Sequence, residues 1–189
     1  MASISRAPRS DAARNRAKLL TAATELFREN ASALSVEEVA QRAGVGVGTF
    51  YRNFPTKSAL LEALIVREID ALSAVAEQGA VAEQGRNEGN GLAEFITATF
   101  RVSRFKGDLT VALEGEGTGF GEEVIAASAR LREHAGRLLA DAQRAGDVRP
   151  DIRLEDVLAL LRAAYSTTRS PESGERIARV IIDGLRARP

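Results

Sequence analysis

Val47-Gly48-Thr49-Phe50-Tyr51-Arg52-Asn53 gathers the side chains best suited to chemistry in this sequence, and Lys57 follows four residues later. The chemistry they suit is recognition of anions and base edges, without bond making. Gly48 lets a phosphate approach closely. Thr49 offers a hydroxyl and a methyl, Tyr51 a phenolic donor, and Arg52 and Asn53 groups that reach phosphate oxygens or base edges. Lys57 adds a positive charge where the orphan N–H groups of a following helix begin. Phe50 and Phe54 have the spacing of inward residues and are expected in the core. A catalytic reading lacks parts. The chain has no Cys and a single His, His134, so thiol nucleophiles, thiolate metal sites and a Ser/His/Asp triad have nothing to work with. The glycine-rich segment GEGTGFG at 115–121 lacks the Gly-Lys-Ser/Thr ending of a phosphate loop and follows a helical pattern, so it is expected to be a connection. No enzymatic activity, cofactor or metal is expected.

The elements that must position these side chains are helices. Apolar residues recur at three- and four-residue intervals and no stretch alternates with period two, which predicts an all-α fold. A first helix over 11–29 carries Leu19, Ala22, Ala23, Leu26 and Phe27 on one face, with Arg14, Arg16, Lys18 and Arg28 away from it. Ser35-Val36-Glu37-Glu38 reads as a capping box that opens a short helix over 36–42. Ala43-Gly44-Val45 ends it, with Gly44 free to turn left-handed, and a second short helix covers 47–53. Thr56 caps a fourth helix, with Leu60, Leu61, Leu64 and Ile65 on its stripe, that continues to Gln78. Two short helices joined by a glycine turn and backed by a longer one form a helix-turn-helix, whose second helix suits the DNA major groove.

Further helices are expected over 91–106, 108–114, 122–145, 154–168 and 171–187, about nine in all. Asn90 and Ser170 are good N-caps, Pro171 fits a first helical position, and Gly146 fits the position after a helix end. The hexapeptide AVAEQG occurs twice in tandem, at 74–79 and 80–85, and residues 79–90 are expected to form a loop. Hydrophobic residues make up 44% and charged residues 28%, and no apolar run approaches the roughly eighteen residues of a membrane span. No membrane partner and a cytoplasmic location are therefore expected. A formal net charge of zero argues at first against DNA. Its distribution reverses that argument: residues 1–58 hold nine Lys/Arg against five Asp/Glu, a net of +4, which leaves −4 for the remainder.

The strings LLTAATELF and LSVEEVAQRAGVGVGTFYRNFPTKSALLEAL resemble the N-terminal domain of TetR (TetR/AcrR) family transcriptional regulators. The likeness covers about residues 11–71 and is most specific in AGV…GTFY.NF..K..L. It implies a helix-turn-helix DNA-binding domain over 11–71, followed by a helical effector-binding and dimerisation domain over 72–189. Carried over position by position, the family's DNA contacts fall on Ser35, Val36, Val47, Gly48, Thr49, Tyr51, Arg52, Asn53 and Lys57. Two departures stand out. Glu37 and Glu38 occupy positions where many relatives have basic or neutral residues, and position 53 is Asn where His is frequent. Arg6 and Arg9 are expected in a flexible basic tail.

The resemblance implies a homodimer that binds a palindromic double-stranded DNA operator, and a small-molecule effector of unknown identity that relieves DNA binding. A ligand-responsive repressor is the expected function. The alternative is a ligand-sensing or partner-binding helical protein without specific DNA binding, for which Glu37 and Glu38 are the motive. Apolar walls for an effector pocket, with polar groups beside them, are expected from Phe95, Ile96, Thr99, Phe100, Phe105, Leu109, Leu113, Phe120, Leu131, His134 and Tyr165. Thr97 and Arg104 are further polar neighbours. The last two helices carry more apolar circumference than one core-facing stripe requires, which supports a four-helix dimer interface from Val157, Leu161, Ile177, Ile181 and Leu185.

Overall fold

The computed structural model describes residues 8–30, 34–85, 91–117, 119–165 and 170–187. Their regular elements are α1 (Pro8–Glu29), α2 (Val36–Arg42), α3 (Val47–Asn53), α4 (Lys57–Gly85), α5 (Gly91–Gly115), α6 (Glu122–Ala145), α7 (Leu154–Tyr165) and α8 (Pro171–Leu185). One isolated antiparallel bridge, Val148 to Arg186, accompanies them. The all-α expectation holds, and no helix among the described residues is long and apolar enough to cross a membrane. Residues 86–90, with Asn90, and Arg6 lie outside the described residues, as do the side chains of Arg9, Arg104 and Tyr165.

Packing divides the chain into two compact units. The first comprises Met1–Ile65 with Asp108–Phe120, the second Val66–Gly107 with Gly121–Pro189. Linear order conceals this, because α4 and α5 each contribute to both. In the first unit α1 buries Leu19, Ala22, Ala23 and Phe27, the stripe that the helical period predicts. Thr24 is buried beside them, and its hydroxyl donates to the Leu20 carbonyl at 2.8 Å. Val39 and Ala40 of α2, Phe50 of α3 and Leu60, Leu61, Leu64 and Ile65 of α4 are also interior.

Helix ends are fixed by the residues expected to fix them. The Ser35 hydroxyl accepts the Glu38 N–H at 3.1 Å, and the Thr56 hydroxyl accepts the Ala59 N–H at 3.0 Å. After α2, Gly44 takes φ +66°, the Val45 N–H donates to the Ala40 carbonyl and the Gly44 N–H to the Gln41 carbonyl, each at 3.0 Å. This Schellman closure satisfies two orphan carbonyls and turns the chain sharply into α3. Gly146 (φ +81°) closes α6 in the same way, and the Ser170 hydroxyl caps α8 through the Ser173 N–H at 3.2 Å.

α1 starts three residues earlier and α8 ends two residues earlier than expected, and two further boundaries differ more. Residues 79–85 continue α4 instead of opening a loop, since Ala, Val, Glu and Gln all favour helix and a single glycine costs only about 1 kcal/mol. Gly79 gains a packing role there: a Cβ on it would stand 2.9 Å from the Gly91 Cα, so the start of α5 approaches the α4 backbone through a glycine. Likewise Gly107 does not separate two helices. α5 runs unbroken from Gly91 to Gly115, and burial of Leu109 and Leu113 beyond Gly107 outweighs its propensity cost.

The second unit is held by a core that includes Leu72, Phe95, Ile96, Phe100, Leu138, Val157, Leu161, Ala178 and Leu185. The link between α6 and α7 is clamped by Gln143, whose Nε2 donates to the carbonyls of Arg149 (3.1 Å) and Ile152 (2.9 Å).

Candidate nucleic-acid interface

α3 is a seven-residue helix with one buried anchor and one open face. Phe50 is fully buried, stands edge-on to Tyr51 at a ring separation of 5.4 Å, and lies 5.9 Å from the buried Phe54 ring, as the inward spacing predicts. Opposite this anchor, Val47 (38% exposed), Gly48, Tyr51 (49% exposed) and Arg52 form a continuous outward face. An apolar side chain and a phenol held open to solvent cost solvation free energy unless something else covers them. No Cβ placed on Gly48 would meet any atom within 4 Å, and its φ is not positive. The fold therefore does not require glycine at 48, and the open space beside it lies on the outward face.

Polar contacts stiffen the same helix. Arg52 donates to the Thr49 hydroxyl at 2.8 Å, and Asn53 Nδ2 donates to the Thr49 carbonyl at 2.8 Å. Arg16 of α1 donates to the Asn53 carbonyl at 3.2 Å and lays its guanidinium 4.5 Å from the Phe54 ring centre. Arg16 is thus not simply turned away from the packed face, as the sequence pattern suggests. It braces the C-terminal end of α3, where a cation also complements the helix dipole. Ser35 and Val36 are half-buried at the start of α2, and the Ser35 hydroxyl, while accepting as a cap, keeps its own proton to donate.

Charge at this end is partly paired. Arg42 bonds Glu29 at 3.0 Å with Glu25 at 3.7 Å, and the pair holds the Glu29 carboxyl below and the Arg42 guanidinium above its ordinary value. Lys57, at the first position of α4, places Nζ 2.9 Å from Glu116 Oε1. Glu37 and Glu38 are exposed in the first turn of α2.

The residues expected to line an effector pocket do not form one set. Phe95 and Phe100 are core residues of the second unit and Leu131 packs against that core, while the buried Thr99 hydroxyl donates back to the Phe95 carbonyl at 2.7 Å. His134 presents Nδ1 to the Ser73 carbonyl and Nε2 to Glu77 Oε1, each at 3.4 Å. Phe105 is half-buried, and burial pushes the neighbouring Lys106 ammonium below its ordinary value. Leu109, Leu113 and Phe120 group instead with the first unit. Phe120 is moreover 48% exposed. Sequence reasoning missed Ser73, whose buried Oγ has no hydrogen-bond partner. A serine on an apolar stripe was its only signal. An open cavity of about 350 Å³ in the second unit is lined by Leu92, Ile96, Val148, Ile182, Asp147 and Arg186 among others, and Ile96 is the one expected pocket wall among its lining residues.

The residues expected at a dimer interface are also redistributed. Val157, Leu161 and Leu185 lie in the protomer's own core, while Ile177 and Ile181 are half-buried against that core. Among the described residues, Leu160 (46% exposed) and Val180 (72% exposed) are the large apolar side chains that α7 and α8 leave open.

Residues 19–64 match the family model described as bacterial regulatory proteins, tetR family, and residues 87–187 match that of the C-terminal domain of SbtR-like transcriptional regulators. A TetR transcription regulatory protein from Mycobacterium vanbaalenii is 37% identical, with a TM-score of 0.75 over 95% of this chain and 99% of that one. The TetR transcriptional regulator SCO0520 from Streptomyces coelicolor is 30% identical, with a TM-score of 0.71 over 92% of this chain and 99% of that one. A Staphylococcus aureus protein, HTH-type transcriptional regulator SAR0097, is 36% identical over 69 residues, a match that spans only 36% of that protein.

Proposed function

The chain belongs to the TetR family of bacterial transcriptional regulators, and we propose that it is a dimeric repressor whose α3 reads a palindromic operator and whose second unit binds a small molecule that lowers operator affinity. Proteins of this family regulate transcription and are not enzymes. The observation that carries the reading is the outward face of α3, where Val47, Gly48, Tyr51 and Arg52 stand open above a buried Phe50. In a major groove, Tyr51 and Arg52 supply donors, Val47 an apolar surface for a thymine methyl, and Gly48 room for close approach. Ser35, Thr49, Asn53 and Lys57 carry side chains suited to phosphates, and Val36 opens α2 with a backbone N–H that can donate to one. A protein with chromosomal DNA as its partner acts in the cytoplasm.

Dimerisation follows from what one such helix can read. Two copies related by a two-fold axis read two half-sites about one helical turn apart. Leu160 and Val180 supply the exposed apolar surface, continued by the half-buried Ile177 and Ile181. Val180→Asp leaves the protomer core intact and is expected to give a monomer by sedimentation, with operator affinity reduced at least about tenfold. A monomer that keeps wild-type affinity contradicts the dimer account. For the effector, the second unit offers an open cavity that includes Ile96, Asp147 and Arg186 in its lining and, apart from that lining, the unpartnered Ser73 hydroxyl with the adjacent His134. Effector and DNA must then weaken each other's binding by the same factor.

The test of the whole reading is a gel shift with the protein's own upstream DNA at two salt concentrations. A specific complex that weakens steeply with salt is expected. Absence of any salt-dependent specific complex supports instead a ligand-sensing protein without operator binding, the role that the exposed Glu37 and Glu38 favour.

A further inference from the structure

The contact between Lys57 and Glu116 joins residues 59 positions apart in the chain, and it removes a cation from the surface where one is most useful. Lys57 opens α4 one residue after the capping Thr56, beside the outward face of α3 in sequence. Glu116 follows the last residue of α5. Its place is set by well-anchored chain: Leu113 and Leu109 are fully buried about one and two turns earlier, the Glu116 N–H donates to the Leu113 carbonyl at 3.1 Å, and Gly117 turns the chain at φ +73°. Both ends of the ion pair lie in the same compact unit, and both side chains are only partly exposed.

From this geometry we propose that Glu116 sets operator affinity by competing with a DNA phosphate for Lys57. The inference rests on the reading that Lys57 contacts phosphate. An ammonium 2.9 Å from a carboxylate is already neutralised, and a phosphate brought to the same ammonium meets the negative charge of Glu116 as well. Operator binding must therefore either break the pair or accept that repulsion. Glu116 touches no DNA in this account; it positions Lys57. The protein thereby holds its affinity below what the α3 face and Lys57 could supply together.

A double-mutant cycle on the full-length protein, read as operator Kd at low and moderate salt, tests this. Glu116→Gln is expected to tighten binding about three- to tenfold at low salt, with two pairs per dimer, and by less as salt rises. Lys57→Ala is expected to weaken binding. In the Lys57→Ala background, Glu116→Gln is expected to change Kd less than about twofold, because its partner is gone. Equal tightening in both backgrounds overturns the competition and leaves only general repulsion by a carboxylate. No tightening by Glu116→Gln, with Lys57→Ala still weakening, overturns it too. If Lys57→Ala leaves Kd unchanged, the phosphate reading of Lys57 fails first and the proposal falls with it. Matching thermal melts of the four proteins establish that the comparison concerns binding rather than folding.

Discussion

The two compact units are built from the same material, amphipathic helices, but differ in how polar side chains are bonded around the residues proposed to bind. In the first, Arg16, Arg52 and Asn53 converge on one seven-residue helix, each bonded to an atom of α3, so the helix is braced from its own side chains and from α1. In the second, Gln143 clamps the link between α6 and α7, but among the groups proposed to meet an effector the Thr99 hydroxyl bonds to its own helix, His134 makes long contacts to Ser73 and Glu77, and the Ser73 hydroxyl has no partner. A helix braced by Arg16, Arg52 and Asn53 suits a partner of fixed geometry such as duplex DNA. A core with an unmet hydroxyl suits a partner that enters it.

The largest expected effect lies at the anchor of the template. Phe50→Ala removes a fully buried ring from beneath α3 and is expected to cost about 3–5 kcal/mol in chemical denaturation, with loss of operator binding. A cost below 1 kcal/mol would mean that the first unit is not organised around this ring. In the second unit the comparable point is backbone packing. Gly79→Ala sets a Cβ 2.9 Å from the Gly91 Cα and is expected to destabilise by about 1–3 kcal/mol, whereas an unchanged melting curve would show that α4 and α5 yield there.

Arg16→Ala sharpens the contrast in polar wiring. It removes both the bond to the Asn53 carbonyl and the contact with the Phe54 ring, for an expected loss of about 1–2 kcal/mol in urea denaturation. Smallest in stability, and opposite in sign, is Gly48→Ala. Open space and helical backbone at that position predict a gain of about 0.5–1 kcal/mol on melting, together with weaker operator binding because the new methyl stands where DNA approaches. A variant that binds operator as well as wild type would remove Gly48 from the interface.

Legibility from sequence divides along the same line as the two units. Ser35, Gly44 and Thr56 announce helix ends by local chemistry, and the structure uses each as expected. Phe50 and Phe54 follow from spacing alone. Arg16 was not legible in its role, because stacking on Phe54 and bonding to Asn53 depend on how α1 crosses α3. The Lys57–Glu116 pair was hidden for the same reason. In the second unit, periodicity identifies apolar stripes without saying which neighbour they face, so Val157, Leu161 and Leu185 read as an interface although they fill the protomer's own core. A glycine inside a helix reads as a break at 79 and 107 because propensity is local and burial is not.

The outward face of α3 as the DNA-reading surface is most directly tested by titrating wild type and a Tyr51→Ala/Arg52→Ala variant against DNA selected from a random pool by the wild-type protein. Both side chains are exposed, so the variant should melt with the wild type, yet lose at least about tenfold in specific affinity and its preference for the selected sequence. A folded variant that keeps wild-type affinity and sequence preference would contradict the account.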